Sequence, residues 1–127
     1  MPYLEWRRER SYLMPRSLDE VIAQDHPVRL VAELLEAVPA ETQGELGFDE
    51  PANELGRAAY PAEVLAAVWV YGFMRGIRSS RRLEEACQEQ LAFRWLCGEL
   101  QPDHNTLWRY WQRRRQALRV LVKRTVR

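Results

Sequence analysis

Apolar residues recur every three or four positions along most of this chain, which is the spacing of amphipathic helices. The two-residue alternation typical of a half-buried strand is absent. One helical face in the first half carries five apolar residues: Val28, Val31, Leu34, Leu35 and Val38. These spacings predict an all-α fold, a helical bundle.

Local signals place the first helices. Residues 1–16 have no clear period and are predicted to form an irregular arm. Ser17 and Glu20 have the spacing of a capping box, which predicts a short helix extending toward Gln24. Pro27 stands at a favoured first-turn position of the next helix.

The middle of the chain is divided by residues 40–57, where glycine and proline interrupt an acidic stretch. We predict a flexible loop there. Pro61 then begins the most apolar helix, which is apolar nearly all round and is therefore expected at the centre of the bundle. Gly76 is expected to end this helix, and Ser79 or Ser80 to cap the next one.

Two short helices, over 80–89 and 91–97, are predicted to precede a long basic C-terminal helix that begins near Asp103. This order resembles the helix-turn-helix units that bind DNA, although an ordinary helical bundle has the same periodicity. The long helix has an apolar seam formed by Leu107, Trp111, Leu118, Leu121 and Val122. Trp108 lies at the edge of the seam and is the aromatic residue that we expect to be most exposed.

Length and composition limit the class of protein. A chain of 127 residues with 46% hydrophobic residues fits one globular domain over residues 1–127. No apolar run approaches the ~20 residues that cross a bilayer, and the first residues do not resemble a signal peptide, so we expect a cytoplasmic protein associated with the nucleoid. The two cysteines, Cys87 and Cys97, are expected to be buried thiols.

Charge is distributed unevenly along the chain. Residues 1–74 contain 6 Lys and Arg against 13 Asp and Glu, whereas residues 75–127 contain 13 against 5. The net charge of +1 therefore hides an acidic front half and a basic back half. A basic segment of this kind indicates contact with a polyanion, and Arg suits phosphate or a guanine edge because of its planar fork of donors.

Catalytic and metal-binding patterns are missing from the sequence. His26 and His104 are not near a Ser or Cys in a nucleophile arrangement, and the aspartates are explained as helix caps or loop residues. No glycine-rich phosphate loop and no metal-ligand spacing occurs. We therefore expect no catalytic residue, no metal and no cofactor in this chain.

Six segments in a fixed order resemble a known family. They read LMPRSLDE at 13–20, DHPVR at 25–29, GRAAYP at 56–61, YGFMRGIRSSRRLEEAC at 71–87, FRWLCG at 93–98 and PDHNT at 102–106. Together they resemble the N-terminal domain of bacterial insertion-sequence transposases, of the insertion-sequence-five superfamily and its relatives. The likeness covers nearly the whole chain.

The resemblance implies a function. In such transposases the N-terminal helical domain is taken to recognise the terminal inverted repeats of the element and to help assemble the synaptic complex. An RNase H-like domain with an Asp-Asp-Glu metal triad follows it and cuts and joins DNA. We expect this chain to carry the DNA-binding part without the catalytic domain.

The charge distribution and the resemblance together give the candidate site. The expected phosphate contacts are Arg78, Arg81, Arg82, Arg109, Arg113 and Arg114, of which Arg114 lies beside the apolar seam. The expected contacts to base edges or to helix-start phosphates are His104, Asn105 and Thr106. The expected partners are double-stranded DNA at the terminal inverted repeats and either a second copy of the chain or a transposase catalytic chain.

Two alternatives remain open at this stage. The acidic and basic halves could pair between copies, which would make the chain a dimerisation module or an inhibitor of full-length transposase. The chain could also be the product of a decayed reading frame that has no role.

Overall fold

The computed structural model describes residues 7–9, 16–50 and 60–125. Within these ranges the chain forms seven α-helices and no strand, which confirms the all-α prediction. The helices are α1 (Leu18–Val21), α2 (Pro27–Glu36), α3 (Ala40–Glu45), α4 (Ala62–Met74), α5 (Ser80–Glu89), α6 (Leu91–Leu96) and α7 (His104–Thr125). None of the helices described here combines the length and apolar character that a bilayer span requires.

Helix α4 lies at the centre of the molecule, as its all-round apolar sequence predicts. Its residues from Leu65 to Gly72 are all buried, and it packs against α2, α5, α6 and α7. The indole N–H of Trp69 donates a 3.0 Å hydrogen bond to the Leu107 carbonyl of α7, which satisfies the polar atom of a fully enclosed ring. One hydrophobic cluster extends from Ile22 to Leu121 around this helix.

The helix ends follow the local signals. The Ser17 hydroxyl accepts from the Glu20 amide at 3.2 Å, and the Ser79 hydroxyl accepts from the Arg82 amide at 3.4 Å. Gly76 has a φ of +76°, a left-handed conformation that ends α4 at low steric cost. Helix α1 is shorter than predicted: it ends at Val21, because the next residue is extended.

Part of the predicted loop over 40–57 is helical, so the prediction was wrong for its first residues. Helix α3 forms there, and the Leu46 side chain that follows it is fully buried. The Tyr110 hydroxyl of α7 donates a 2.7 Å hydrogen bond to the Leu46 carbonyl, and this distant partner is invisible in the local sequence. Residues 51–59 lie outside the described residues, as does most of the predicted arm over 1–16.

Helix α7 packs against α3, α4 and α5 through the predicted seam. Leu107, Leu118 and Leu121 are buried, and Trp111 and Val122 are partly buried, which confirms the predicted arc. The seam also includes Tyr110, which sequence analysis did not place there. Helix α5 packs against both α6 and α7, in the predicted order of two short helices and a long one.

The two cysteines behave as predicted. Both thiols are free and buried, Cys87 on α5 and Cys97 directly after α6, with their Sγ atoms 3.6 Å apart. A hydrogen bond with Cys87 and burial both raise the pKa of the Cys97 thiol, so this group stays protonated.

Candidate nucleic-acid interface

The outward side of α7 is cationic. Helix α7 has 22 residues and contains no Asp or Glu. Six of its basic residues have exposed side chains: Arg109, Arg113, Arg115, Arg119, Lys123 and Arg124. None of these six forms an ion pair with another residue of the described ranges. We call these six residues the α7 cationic surface.

Arg114 differs from the rest of α7 because it faces the acidic front half. Its guanidinium forms an ion pair with the Glu50 carboxylate and donates to the Glu45 carbonyl at 3.2 Å. The side chain also lies against Gly47, where a Cβ would come within 2.9 Å of the guanidinium, and the φ of +80° at Gly47 separately disfavours any residue with a Cβ. Arg114 therefore ties α7 to the turn after α3.

Two carboxylates occupy the start of α7. The Asp103 carboxylate accepts from the Thr106 amide at 3.1 Å and from the Thr106 hydroxyl at 2.7 Å. The hydrogen bond from the Thr106 hydroxyl is the main reason why the pKa of Asp103 is lowered below its usual 3.8. Glu84 of α5 accepts from the His104 amide at 2.9 Å and lies 3.3 Å from the His104 ring nitrogen Nδ1.

A groove separates the end of α4 from the second half of α7. Phe73 and Trp111 form its aromatic floor, with ring centroids 5.3 Å apart. The Arg78 guanidinium lies 5.9 Å from the Phe73 centroid, and the Arg119 guanidinium lies 5.8 Å from the Trp111 centroid. Lys123 also lines the groove, whose volume is about 360 Å³. Stacking over rings holds the two guanidinium groups at the groove edge.

A second, shallow concavity of about 570 Å³ lies beside the middle of α7. Gln112, Arg113 and Gln116 line it together with Glu45 of α3. Glu45 therefore places a negative charge beside the α7 cationic surface.

The structure distributes the predicted site residues over three places. Arg109 and Arg113 belong to the α7 cationic surface, and Arg78 joins it across the groove. Arg81 and Arg82 are exposed on the first turn of α5. His104, Asn105 and Thr106 form the first turn of α7, and of these three only Asn105 is exposed.

Several residues of this region were missed from the sequence. Arg119 and Lys123 follow Trp111 by 8 and 12 residues, which turns them about 80° and 120° away from Trp111 around the helix, so helical spacing alone did not place them beside this ring. Glu84 had no local signal either, because 20 residues separate it from His104.

Within the described residues, no group of three or more His, Cys, Asp or Glu is placed to hold a metal ion.

Comparison with known proteins gives the family. A search of curated proteins and a search of solved structures each returned no match. The family model described as a transposase domain, DUF772, matches residues 16–113, which is most of the chain. This match includes every described helix from α1 to α6 and the first half of α7. The chain therefore belongs to the DUF772 transposase domain family, found in the N-terminal regions of transposases of the insertion-sequence-four and insertion-sequence-five families.

Proposed function

We propose that this chain is the DNA-binding part of an insertion-sequence transposase, which recognises the ends of its element during transposition and does not itself catalyse strand transfer. The observation that carries the proposal is the α7 cationic surface, a row of exposed basic side chains on a helix without acidic residues. Neutralising DNA phosphates releases counterions, which is the main source of sequence-independent affinity. Family membership supports the same function.

The predicted residues take unequal parts in this proposal. Arg109 and Arg113 contact phosphates directly from α7, and Arg78 extends the cationic surface across the groove. Arg81 and Arg82 contact phosphates from the first turn of α5. We propose that α5, α6 and α7 act together as a helix-turn-helix-like unit, in which α7 approaches the duplex.

Three predicted contacts have internal bonds that DNA would have to replace. Arg114 is paired with Glu50, His104 is bonded to Glu84, and the Thr106 hydroxyl is bonded to Asp103. Breaking such a bond lowers the net gain of a DNA contact, because the existing bond is lost when the new one forms. These three residues therefore contribute less affinity than Arg109 and Arg113.

Fluorescence anisotropy with a labelled 20-base-pair duplex of arbitrary sequence tests the proposal. We expect the logarithm of the association constant to fall linearly with the logarithm of the salt concentration. Each phosphate contact contributes about 0.9 to this slope, so Arg109→Ala with Arg113→Ala should reduce it by about 2. The circular-dichroism spectrum of this double variant should match the unchanged chain.

Arg16→Ala is the matched control for Arg113→Ala, since both remove one exposed cation. Arg16 precedes α1, which packs on α6 and is not in contact with α7. If both variants weaken binding equally, affinity depends on net charge and not on the α7 cationic surface. If the chain ignores DNA and instead sediments as a salt-sensitive dimer, it is a protein-interaction module and the proposal is wrong.

A further inference from the structure

A stripe of uncharged donors lies within the α7 cationic surface. Asn105, Gln112 and Gln116 are exposed and follow the spacing i, i+7 and i+11. Residues at this spacing share one face of a helix. The apolar seam through Leu107 and Leu118 lies on the opposite face, so the stripe points away from the bundle.

Cations lie on both edges of this stripe. Arg113 is on one edge, and Arg115 and Arg119 are on the other, as their positions on a helix of 3.6 residues per turn require. A helix in the major groove needs this arrangement: its central face meets the base edges while its flanks meet the phosphates of the two strands. The stripe from Asn105 to Gln116 is about 16 Å long at 1.5 Å per residue, which matches a few base pairs.

The first turn of α7 is less suited to the bases. Asp103 and Glu84 place two carboxylates there, and both are already bonded to the helix start. Negative charge at this position repels phosphate, and the side chains of His104 and Thr106 are engaged with these two carboxylates. The middle of the helix has Glu45 beside it, but the side chains of Gln112 and Gln116 are not engaged with that carboxylate, so base contact is displaced toward the middle of the helix.

The amides of Gln112 and Gln116 are donors and acceptors available in the middle of the helix. Neither side chain forms a hydrogen bond with another described residue, and both are exposed one turn apart, about 6 Å along the axis. A glutamine amide binds adenine in a bidentate manner through N6 and N7. We infer that Gln112 and Gln116 determine base preference, each contacting an adenine in the major groove. This inference rests on the proposed function.

The test begins with selection of duplexes from a random pool by the unchanged chain. The ratio of affinities for the selected duplex and a scrambled duplex is then measured for each variant. Gln112→Ala and Gln116→Ala should each reduce this ratio by about tenfold, the lower range for loss of a bidentate base contact. Gln24→Ala, in the turn after α1, is the matched control and should keep the ratio.

A second measurement does not depend on the folding of a variant. Replacing one selected adenine by 7-deazaadenine removes the N7 acceptor, which should weaken binding of the unchanged chain. The same replacement should have no further effect on the variant whose glutamine contacts that base.

The outcomes separate this inference from the proposed function. Salt-dependent binding without any base preference would leave the proposed function standing and overturn the role of the glutamines. A base preference that is unchanged in both Gln112→Ala and Gln116→Ala would also overturn the role of the glutamines. Absence of any DNA binding would overturn both.

Discussion

Asp103 has two roles at the start of α7, and they can be separated by substitution. Its carboxylate caps the Thr106 amide, and its negative charge is favourable near the positive end of the helix dipole. The lowered pKa means that the ionised Asp103 carboxylate is more stable in the folded state than in the unfolded state. This contribution to stability is complete above the ordinary value of 3.8 and is lost as the pH falls through the lower folded pKa.

Asp103→Ala should therefore lower the free energy of unfolding by about 1 kcal/mol at pH 7, the usual effect of removing a cap. Asp103→Asn keeps the cap and should have a smaller effect at pH 7, but it should remove the residue's share of the acid sensitivity. Urea unfolding at pH 7 and between pH 2 and 5 measures both. Equal stability of the alanine variant and the unchanged chain at pH 7 would show that Glu84 alone caps the helix.

Two glycines within helices give opposite expectations for the same substitution. A Cβ on Gly72 would lie 2.6 Å from Cδ2 of Leu83 and 3.2 Å from the Ile77 carbonyl oxygen, and Leu83 is fully buried. On Gly44 the nearest atom is Asp49 Oδ2, at 3.9 Å. Gly72 therefore permits the close packing of α4 and α5, whereas Gly44 has no such constraint.

Gly72→Ala should lower the free energy of unfolding by about 1 kcal/mol or more, because overpacking outweighs the better helix propensity of alanine. Gly44→Ala is the control and should raise it by about 0.5–1 kcal/mol, because only the propensity term applies. Thermal unfolding of the two variants checks both signs. Stabilisation by Gly72→Ala would mean that Leu83 moves aside freely.

At the scale of single elements, α1 depends on one side chain from α2. No residue within this single-turn helix is buried, so its own packing contributes little. Arg29 donates to the carbonyls of Asp19, Ile22 and Ala23 at 2.7, 2.8 and 3.0 Å, and to the Asp19 carboxylate at 2.9 Å. Its guanidinium stacks on Trp95 of α6, whose indole N–H also donates to Asp19.

Arg29→Lys should release α1, because an ammonium cannot reproduce this fork of donors. We expect a loss of about 2 kcal/mol in the free energy of unfolding and faster amide hydrogen exchange over 18–22. Arg94 is more exposed than Arg29 and, among the described residues, its guanidinium binds only the Glu99 carboxylate, so Arg94→Lys should cost less than about 1 kcal/mol. Similar losses in the two variants would contradict the special role of Arg29.

The distance along the chain to a stabilising partner decides which elements the sequence predicts. Ser17, Ser79 and Gly76 act within a few residues of their own positions, so sequence analysis located the corresponding helix ends correctly. The Leu46 carbonyl directly after α3 and the Asp19 carboxylate accept hydrogen bonds from partners 64 and 76 residues away. No local period encodes such partners, and the loop prediction over 40–57 was wrong at its start for this reason.

The candidate site, like the fold, was predicted from the sequence only in part. Helical spacing was sufficient to predict that Arg109 and Arg113 lie on the outward side of α7, and both are exposed. It could not reveal that Glu84 and Glu50 already bind His104 and Arg114, since these contacts join separate elements. Sequence analysis therefore located the surface but could not determine which of its groups are available.

For the molecule as a whole, the charge division is only partly neutralised by folding. The acidic front half contacts α7 through the Glu50–Arg114 ion pair, and Glu45 lies beside Arg113. The six residues of the α7 cationic surface stay outside the ion pairs of the described residues. The front half therefore weakens the positive potential at one edge of α7 without cancelling it.

Glu50→Gln should strengthen binding of duplex DNA, because it removes a nearby negative charge and releases the Arg114 guanidinium for a phosphate. We expect an affinity a few-fold higher at low salt and a salt slope steeper by about 1, the contribution of one additional phosphate contact. Glu36→Gln on α2 makes the same change in net charge, and α2 is not in contact with α7. If Glu50→Gln and Glu36→Gln shift affinity and slope equally, Arg114 gains no phosphate when it is released, and the ion pair only stabilises the fold.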